Sequence, residues 1–500
     1  MTEIPQVKTA LSSLPAGADR YVAIAPGRLD VMGGSAVYTG SLALSLPLSS
    51  RAFAVAQRRR DGVVSVRLLQ TRDQFLQVAG YVAAGNGTNS RNGSNGANPQ
   101  VRCDVTEVSL DAAAFADGDA AALKAAVDKI DEPYRDTLGA VIVALMGLIE
   151  VAGSALAPAD DGITGGDRAD FRAGGLTLVV GTDMAHRAGA GCGGAIGAAV
   201  VAAGGCALGL DVNDSLAVRS MEQVRPELTP TPISAADVLG GLFANHGQFT
   251  QLRNDPCSLA KGVPLPEGML IVGVDSGAAH EKAREKYWLM RTTAAMGCEL
   301  LARIINHDCP EKAQWDRFLS RISVTEFVER FRDRIPTRLR GKDYRERFGP
   351  LTCPGCVIEE DQIYKVRSRT EHHIYEHERA LQFAHHTTRL SRMHDVNILD
   401  ELGELMFASH WSYGQRCGLG SIEADALVNI LRKRRDDGIF GAKITANGCG
   451  GMVAVLLEDT ESARGALHAA LEAFHERTGK TATVLESDGA GIMETGVART

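Results

Sequence analysis

A strand-like segment followed by a run of glycines and alanines constrains the fold of this chain more than any other feature. It comprises GLTLVVGTDM (175–184), HRAGAGCGG (186–194) and AIGAAVVAAGGCALGL (195–210). This pattern predicts a strand, a glycine loop and a helix that Gly204 and Gly205 end. The order places unpaired backbone N–H groups at a helix N-terminus, which is an anion site by geometry alone. Small residues also permit close helix packing, so the pattern leaves phosphate binding and packing open.

The glycine loop contains no serine, threonine or lysine, which phosphate-binding loops ordinarily use to hold magnesium or a phosphate. Its backbone N–H groups still suit a phosphate. A metal there would depend on phosphate oxygens, waters and a carboxylate from elsewhere in the chain, since magnesium keeps several waters in protein sites.

The overall charge argues against nucleic acid as a partner. The formal net charge is −8 and the isoelectric point is near 5.9, whereas phosphate-backbone binding needs a concentrated basic surface. No uninterrupted apolar run reaches the roughly 18 residues that span a bilayer, and the polar start MTEIPQVKTA lacks the core of a signal peptide. We therefore expect a cytoplasmic protein without a membrane partner.

The cysteines carry one motif. Ten cysteines are scattered along the chain without a repeating spacing, which is typical of reduced thiols. Cys353-Pro354-Gly355-Cys356 has the turn chemistry of half a zinc ribbon or of a redox motif. No second pair follows at a similar spacing, which favours a surface turn with two free thiols.

The remaining segments predict a mixed α/β chain interrupted by one polar loop. Residues 85–100 are rich in Gly, Asn and Ser and predict a flexible surface loop. Two strands separated by a turn at Gly33-Gly34 are expected before it, and a buried helix over 136–155 after it. The C-terminal pattern of strand, glycine turn, strand, helix and strand predicts a small α+β layer.

Five motifs in this order resemble the GHMP small-molecule kinases, in the branch of the galactokinases and L-arabinokinases. The resemblance runs from about residue 20 to the end of the chain, without the polar loop. The motifs are APGRLDVMGGSAVYTGSLALSLPL (25–48), VDSGAAHEKAREKYWLMR (274–291), RSRTEHHIYEHERA (367–380), MFASHWSYGQRCGLGSIEADALVNI (406–430) and GAKITANGCGG (441–451).

The resemblance implies an α+β fold of two domains. The first, residues 20–225, would be an α/β domain with a left-handed crossover, an exception to the usual handedness. The second, residues 226–500, would be a ferredoxin-like α+β domain. ATP, with Mg, and a monosaccharide would bind in the cleft between them, and the γ-phosphoryl group would pass to a sugar hydroxyl.

The resemblance also implies roles for individual residues. Arg28 would lie beside the transferred phosphate, and the family's catalytic aspartate falls on Gly240. Asp237 or Asp183 would then have to act as the base, and Asp237 is also well placed as an N-terminal helix residue that suits the macrodipole. The implied nucleotide-binding residues are Gly189, Gly191, Gly193, Gly194, Gly448 and Gly450, and the implied substrate-binding residues are Asp30, Tyr38, Asp275 and Tyr287, with His280 nearby.

The chain departs from the family pattern at three places. The loop serines fall on Gly193, Gly194 and Ala195, so the backbone cradle is kept and the magnesium hydroxyl is lost. The catalytic aspartate falls on Gly240, and the sugar-binding aspartate on Val37. A hydrophobic side chain cannot accept the hydrogen bond of a sugar hydroxyl, and an unpaired buried polar group costs about 1–3 kcal/mol.

Two hypotheses follow from these departures. The chain is either a divergent ATP-dependent monosaccharide kinase, which acts mainly by proximity and electrostatics, or an inactive member of the fold that binds a sugar or a nucleotide and regulates another process. The sequence leaves open the sugar, the metal ligands and the oligomeric state.

Overall fold

The structure is a computed structural model, and it describes most of the chain. The described residues are 5–71, 103–130, 134–154, 174–184, 189–222, 225–229, 232–278, 283–308, 318–393 and 396–500. The polar loop predicted at 85–100 and the residue His280 lie outside these ranges.

Helices and strands alternate along the described residues. The helices are α1 Pro5–Ser12, α2 Ala112–Ala116, α3 Ala120–Val127, α4 Tyr134–Ser154, α5 Cys192–Ala207, α6 Asp214–Ser220, α7 Ala235–Phe243, α8 Ala283–Asp308, α9 Val324–Glu326, α10 Gly341–Phe348, α11 Val366–Met393, α12 Val396–Ser412, α13 Ile422–Leu431, α14 Glu461–Thr478 and α15 Ile492–Thr495. The strands are β1 Arg20–Met32, β2 Ala43–Arg58, β3 Val63–Thr71, β4 Cys103–Asp111, β5 Gly175–Thr182, β6 Gln248–Asn254, β7 Cys257–Leu259, β8 Val263–Pro264, β9 Met269–Asp275, β10 Leu339–Arg340, β11 Ile363–Tyr364, β12 Ile439–Ile444, β13 Met452–Glu458, β14 Thr483–Leu485 and β15 Ala498–Arg499.

The larger sheet has the order β15-β1-β2-β5-β3-β4, and β6 also pairs with β2. The long strands β1 and β2 are antiparallel, whereas β3 and β5 are parallel and therefore need a crossover between them. Helix α5 packs on β1 and β2, and α4 and α7 pack on α5. This packing holds the loop before α5 against the edge of β1. The left-handed crossover stays a prediction.

The smaller sheet has the order β12-β13-β9-β14, and all three strand pairs are antiparallel. Helix α8 follows β9 and α14 follows β13, which gives the β-α-β-β-α-β order of a ferredoxin-like layer with helical insertions. The two-domain α+β fold is therefore as predicted. Strands β6 to β8 and the C-terminal β15 pair within the larger sheet although they follow residue 225, and the boundary at 225/226 stays a prediction.

One local expectation needs correction. Helix α5 continues through Gly204 and Gly205 to Ala207, because both glycines serve packing: a Cβ at Gly204 would lie 3.2 Å from Leu148 of α4. Within the described residues, α4 is also long and apolar enough to cross a membrane by length and composition alone, with 78% of its most apolar window buried inside the protein. That burial accounts for its sequence as a core helix.

Candidate active site

A cavity of about 790 Å³ is lined by residues from both sheets. Its walls come from β1 and the turn after it, the glycine loop, the segment leading into α7, the first turns of α8, and the turn between β12 and β13. It brings together most of the residues singled out from the sequence: Arg28, Asp30, Tyr38, Gly189, Gly191, Gly193, Gly194, Asp237, Tyr287, Gly448 and Gly450.

The glycine loop is bound to β1 and opens the first turn of α5. Gly191 is the N-cap of α5 with a φ of 72°, which favours glycine, and none of the described side chains caps this end of the helix. The N–H of Arg28 donates to the carbonyl of Ala190 at 2.8 Å. A Cβ at Gly191 would lie 3.0 Å from Cβ of Arg28, so a larger residue would separate loop and strand. The first N–H groups of α5 therefore face the cavity as a ready anion site.

Arg28 and Asp237 form an ion pair beside this loop. Nη2 of Arg28 lies 2.5 Å from Oδ1 of Asp237, and the two side chains are 14% and 23% exposed. The other carboxylate oxygen, Oδ2, accepts hydrogen bonds from the N–H and the hydroxyl of Ser234, which completes a capping box at the start of α7. One oxygen of Asp237 thus holds the start of the helix, and the other faces Arg28.

The ion pair occupies space that side chains at Gly194 and Gly240 would otherwise fill. A Cβ at Gly194 would lie 2.8 Å from Cβ of Asp237, closer than Cβ atoms approach in proteins. A Cβ at Gly240 would lie 3.0 Å from Cδ of Arg28. These are two of the positions at which the resemblance expects a serine and an aspartate. A side chain at either position would displace one partner of the ion pair.

An arginine between two tyrosines forms the opposite wall. Cζ of Arg291 lies 5.0 Å from the ring centroid of Tyr38, and its Nη1 donates to the hydroxyl of Tyr287 at 2.9 Å. The two tyrosine rings meet edge to face at 6.2 Å. Burial raises the pKa of both tyrosines, which keeps them neutral. Val37 adds an apolar surface to the same wall.

Asp30 brings a buried carboxylate to the cavity. It is 2% exposed, and its Oδ1 has no hydrogen-bond partner among the described residues. Burial raises the pKa of this carboxyl group, and the positive charges of Lys443 and Arg28 oppose that effect. An unpartnered carboxylate oxygen at a cavity wall suits a ligand that donates a hydrogen bond there.

The turn between β12 and β13 has a strained backbone. Ala446 and Cys449 have φ values of 51° and 57°, which residues with a side chain seldom adopt, and Gly448 has a φ of 66°. Tyr413 fixes this turn to the segment after β1: its hydroxyl accepts from the N–H of Ser35 and donates to the carbonyl of Ala446, both at 2.8 Å.

Removing this hydroxyl should lower the stability of the protein. In Tyr413→Phe the N–H of Ser35 and the carbonyl of Ala446 lose their buried partner, which costs about 1–3 kcal/mol. We expect a matching fall in the free energy of unfolding, measured by urea denaturation at constant m-value. Tyr375→Phe is the control, because the Tyr375 hydroxyl makes no hydrogen bond to the described residues, and its change should stay within about 0.5 kcal/mol. Equal losses in both variants would contradict the linking role of Tyr413.

Comparisons with known proteins agree with this geometry. The sequence profile described as GHMP kinases C terminal matches residues 395–476. An L-arabinokinase of Arabidopsis thaliana is 24% identical over 523 residues, which include 96% of this chain. The C-terminal part of the chain thus matches the GHMP kinase family, and the chain resembles the branch of that family that holds the galactokinases and L-arabinokinases.

Further similar proteins cover different shares of the chain. A galactokinase of Bacillus subtilis is 30% identical over 129 residues, which are 26% of this chain and 30% of the relative. Galactokinase of Lactococcus lactis, solved with galactose, has the same fold, with a TM-score of 0.60, 16% identity and 94% of each chain covered. The chain spans only 46% of the length of the Arabidopsis L-arabinokinase, about half of that protein.

Two carboxylates named from the sequence lie outside the described lining of the cavity. Asp275 is at the end of β9, outside the described lining of the cavity, and its Oδ1 accepts from the N–H of Gly277 at 3.0 Å. Asp183 is likewise outside that lining, and its Oδ1 accepts from the N–H of Arg51 at 2.5 Å. Burial raises the pKa of both groups. Asp237 lines the cavity, and Asp183 does not.

Some lining residues were not anticipated from the sequence. Arg291 is the most informative, and its spacing of four from Tyr287 on α8 was an available signal, because residues four apart share a helix face. Thr445 and Asn447 in the strained turn, and the cations Lys124 and Arg135 at the rim, carried no comparable signal.

Proposed function

We propose that this chain is an ATP-dependent kinase that transfers the γ-phosphoryl group to a hydroxyl of a monosaccharide. The observation that carries the proposal is the ion pair of Arg28 and Asp237 inside the cavity, at the start of the glycine loop. It supplies a cation and a carboxylate at the place where phosphoryl transfer needs them, although Gly240 has no side chain.

Each group has a distinct part in the proposed reaction. The N–H groups at the start of α5 hold the phosphates, and Arg28 stabilises the charge that develops on the transferred group. Oδ1 of Asp237 accepts the proton of the sugar hydroxyl. The hydroxyl oxygen bonds to the γ-phosphorus while the bond between this phosphorus and the ADP oxygen breaks. The hydrogen bonds from Ser234 keep this carboxylate oriented.

Magnesium fits this cavity only as a metal held mainly by ATP. The described residues contain no group of three or more His, Cys, Asp or Glu side chains that could hold a metal. Asp237 is one of the carboxylates that line the cavity, and one or two protein carboxylates with phosphate oxygens and waters suffice for magnesium. When bound, the metal would neutralise phosphate charge.

The sugar would lie against Asp30, Tyr38, Tyr287 and Arg291, on the other side of the cavity from the loop. Asp30 offers an unpartnered oxygen to a sugar hydroxyl, and the aromatic rings offer apolar faces. Val37 offers no acceptor, so we expect the hydroxyl pattern to differ from that of the relatives named for L-arabinose and galactose. Small-molecule substrates and the net negative charge agree with a cytoplasmic enzyme.

The test is turnover by the purified chain. With Mg-ATP and a panel of free monosaccharides, we expect at least one sugar to yield equal amounts of sugar phosphate and ADP, detected by mass spectrometry. A thermal shift with ATP, measured in parallel, reports binding without chemistry. Stabilisation by ATP or a sugar with no product from any of the sugars would instead support the inactive, ligand-binding alternative, which the missing loop hydroxyls and Val37 favour.

A further inference from the structure

The Cys353–Cys356 turn brings two thiols into contact. Pro354 and Gly355 are its central residues, Gly355 has a φ of +75°, and the N–H of Cys356 donates to the carbonyl of Cys353 at 3.2 Å. These are the features of a tight turn that favours proline followed by glycine. The two Sγ atoms lie 2.6 Å apart, and both residues are half-buried. Two sulfur atoms so placed can bond with little movement of the chain.

This turn packs against the part of α8 that carries Arg291, which lines the cavity. A Cβ at Gly355 would lie 2.6 Å from the indole ring of Trp288, so the turn is in close contact with α8. Trp288 meets Tyr287 edge to face at 5.4 Å, and Cζ of Arg291 lies 5.4 Å from the indole centroid. One residue layer therefore separates the thiols from the proposed sugar side of the cavity.

Arg291 needs a negative partner, which the thiol pair can provide. Arg291 is 8% exposed, and none of the ion pairs of the described residues includes it. A buried cation without an anion is costly. The hydrogen bond from Cys356 and the charge of Arg291 lower the pKa of the Cys353 thiol to about 6, against the effect of burial. The same hydrogen bond and burial raise the pKa of Cys356. One sulfur is thus a thiolate at neutral pH and its neighbour is a thiol.

We propose that Cys353 and Cys356 form a thiol–disulfide exchange site that small-molecule disulfides oxidise. The redox state of this site alters the packing of Trp288 against Arg291. The Cys353 thiolate attacks a disulfide RSSR, forms a mixed disulfide and releases RS⁻. Cys356 then loses its proton and attacks Sγ of Cys353, which releases the second RS⁻ and leaves the intramolecular disulfide. Two cysteine thiols are oxidised while one RSSR is reduced to two thiols. Oxidation removes the thiolate next to Arg291.

Alkylation rates test the asymmetry of the pair. With iodoacetamide at neutral pH, we expect Cys353 to react about tenfold faster than Cys206, a half-buried cysteine whose pKa burial raises. Arg291→Met should slow the labelling of Cys353 severalfold and leave that of Cys206 unchanged. Equal rates for the two cysteines in the wild-type chain would overturn the proposal.

Oxidation tests the exchange itself. Oxidised glutathione should give a Cys353–Cys356 disulfide on peptide mapping, and Cys356→Ser should accumulate the glutathione adduct on Cys353, whereas the control Cys206→Ser should behave as wild type. Oxidation should change the tryptophan fluorescence, and this change should disappear in Trp288→Phe but persist in Trp411→Phe, whose ring is exposed. A tightly held zinc that blocks both thiols, or oxidation without the Trp288 response, would contradict the proposal. None of these readouts depends on sugar phosphorylation.

Discussion

Replacing Asp237 with Asn should lower sugar phosphorylation by about 10²–10⁴-fold, the contribution that a general base makes. The change removes the negative charge that faces Arg28 at 2.5 Å and keeps nearly the same shape. The amide oxygen of Asn can still accept hydrogen bonds from Ser234, so the start of α7 should stay folded. The measurement is turnover of the best sugar from the panel at saturating ATP, together with the thermal shift that ATP produces, which should be retained.

Ser234→Ala is the matched control for this experiment. It removes the hydroxyl that binds Oδ2 of Asp237 and caps the same helix, at a cost of about 1 kcal/mol, but it leaves the ion pair in place. We expect its turnover to fall much less than that of Asp237→Asn. Arg28→Ala should be as damaging as Asp237→Asn, and the double variant little worse than either, because residues that act as a unit are not additive. Full turnover in Asp237→Asn would show that the base lies elsewhere.

The sequence predicted the parts of this site that are local in the chain. The strand–loop–helix order around Gly191 and the glycine turn at Gly448 follow from patterns of a few residues, and the structure has both. Asp237 was expected as an N-terminal helix residue, and the structure has it in the first turn of α7, where it forms a capping box with Ser234.

The pairing of Arg28 with Asp237 could not be predicted in the same way. The two residues are 209 positions apart, and they meet only because α5 packs on β1 and α7 packs on α5. Motif comparison indicated only that groups are missing at Gly194 and Gly240. It could not show that their absence makes room for another pair, because this depends on distances between side chains. Lys443 is similar: a lysine in a strand normally predicts an exposed edge, yet it is fully buried.

Gly194→Ser should abolish most of the proposed kinase activity, although the family pattern has a serine at that position. The added Cβ would lie 2.8 Å from Cβ of Asp237 and 3.2 Å from its carbonyl oxygen, so the start of α7 must move. A shift of about 1 Å at a catalytic group can cost about 10²-fold in rate, and overpacking costs about 1–3 kcal/mol in stability. We expect both losses, measured as turnover and as the free energy of unfolding.

Gly193→Ser separates this steric effect from the effect of a serine in the loop. A Cβ at Gly193 meets only the side chain of Ile233, at 3.5 Å, which is an ordinary contact. Both positions lie in the first turn of α5, so the helix gains the same residue type in each variant. If Gly194 is an adaptation to Asp237, Gly193→Ser should leave turnover within a few-fold of wild type, whereas Gly194→Ser should abolish most of it. A gain of activity in Gly194→Ser would show instead that this loop lacks only the metal-binding hydroxyl, and that Asp237 has no catalytic part.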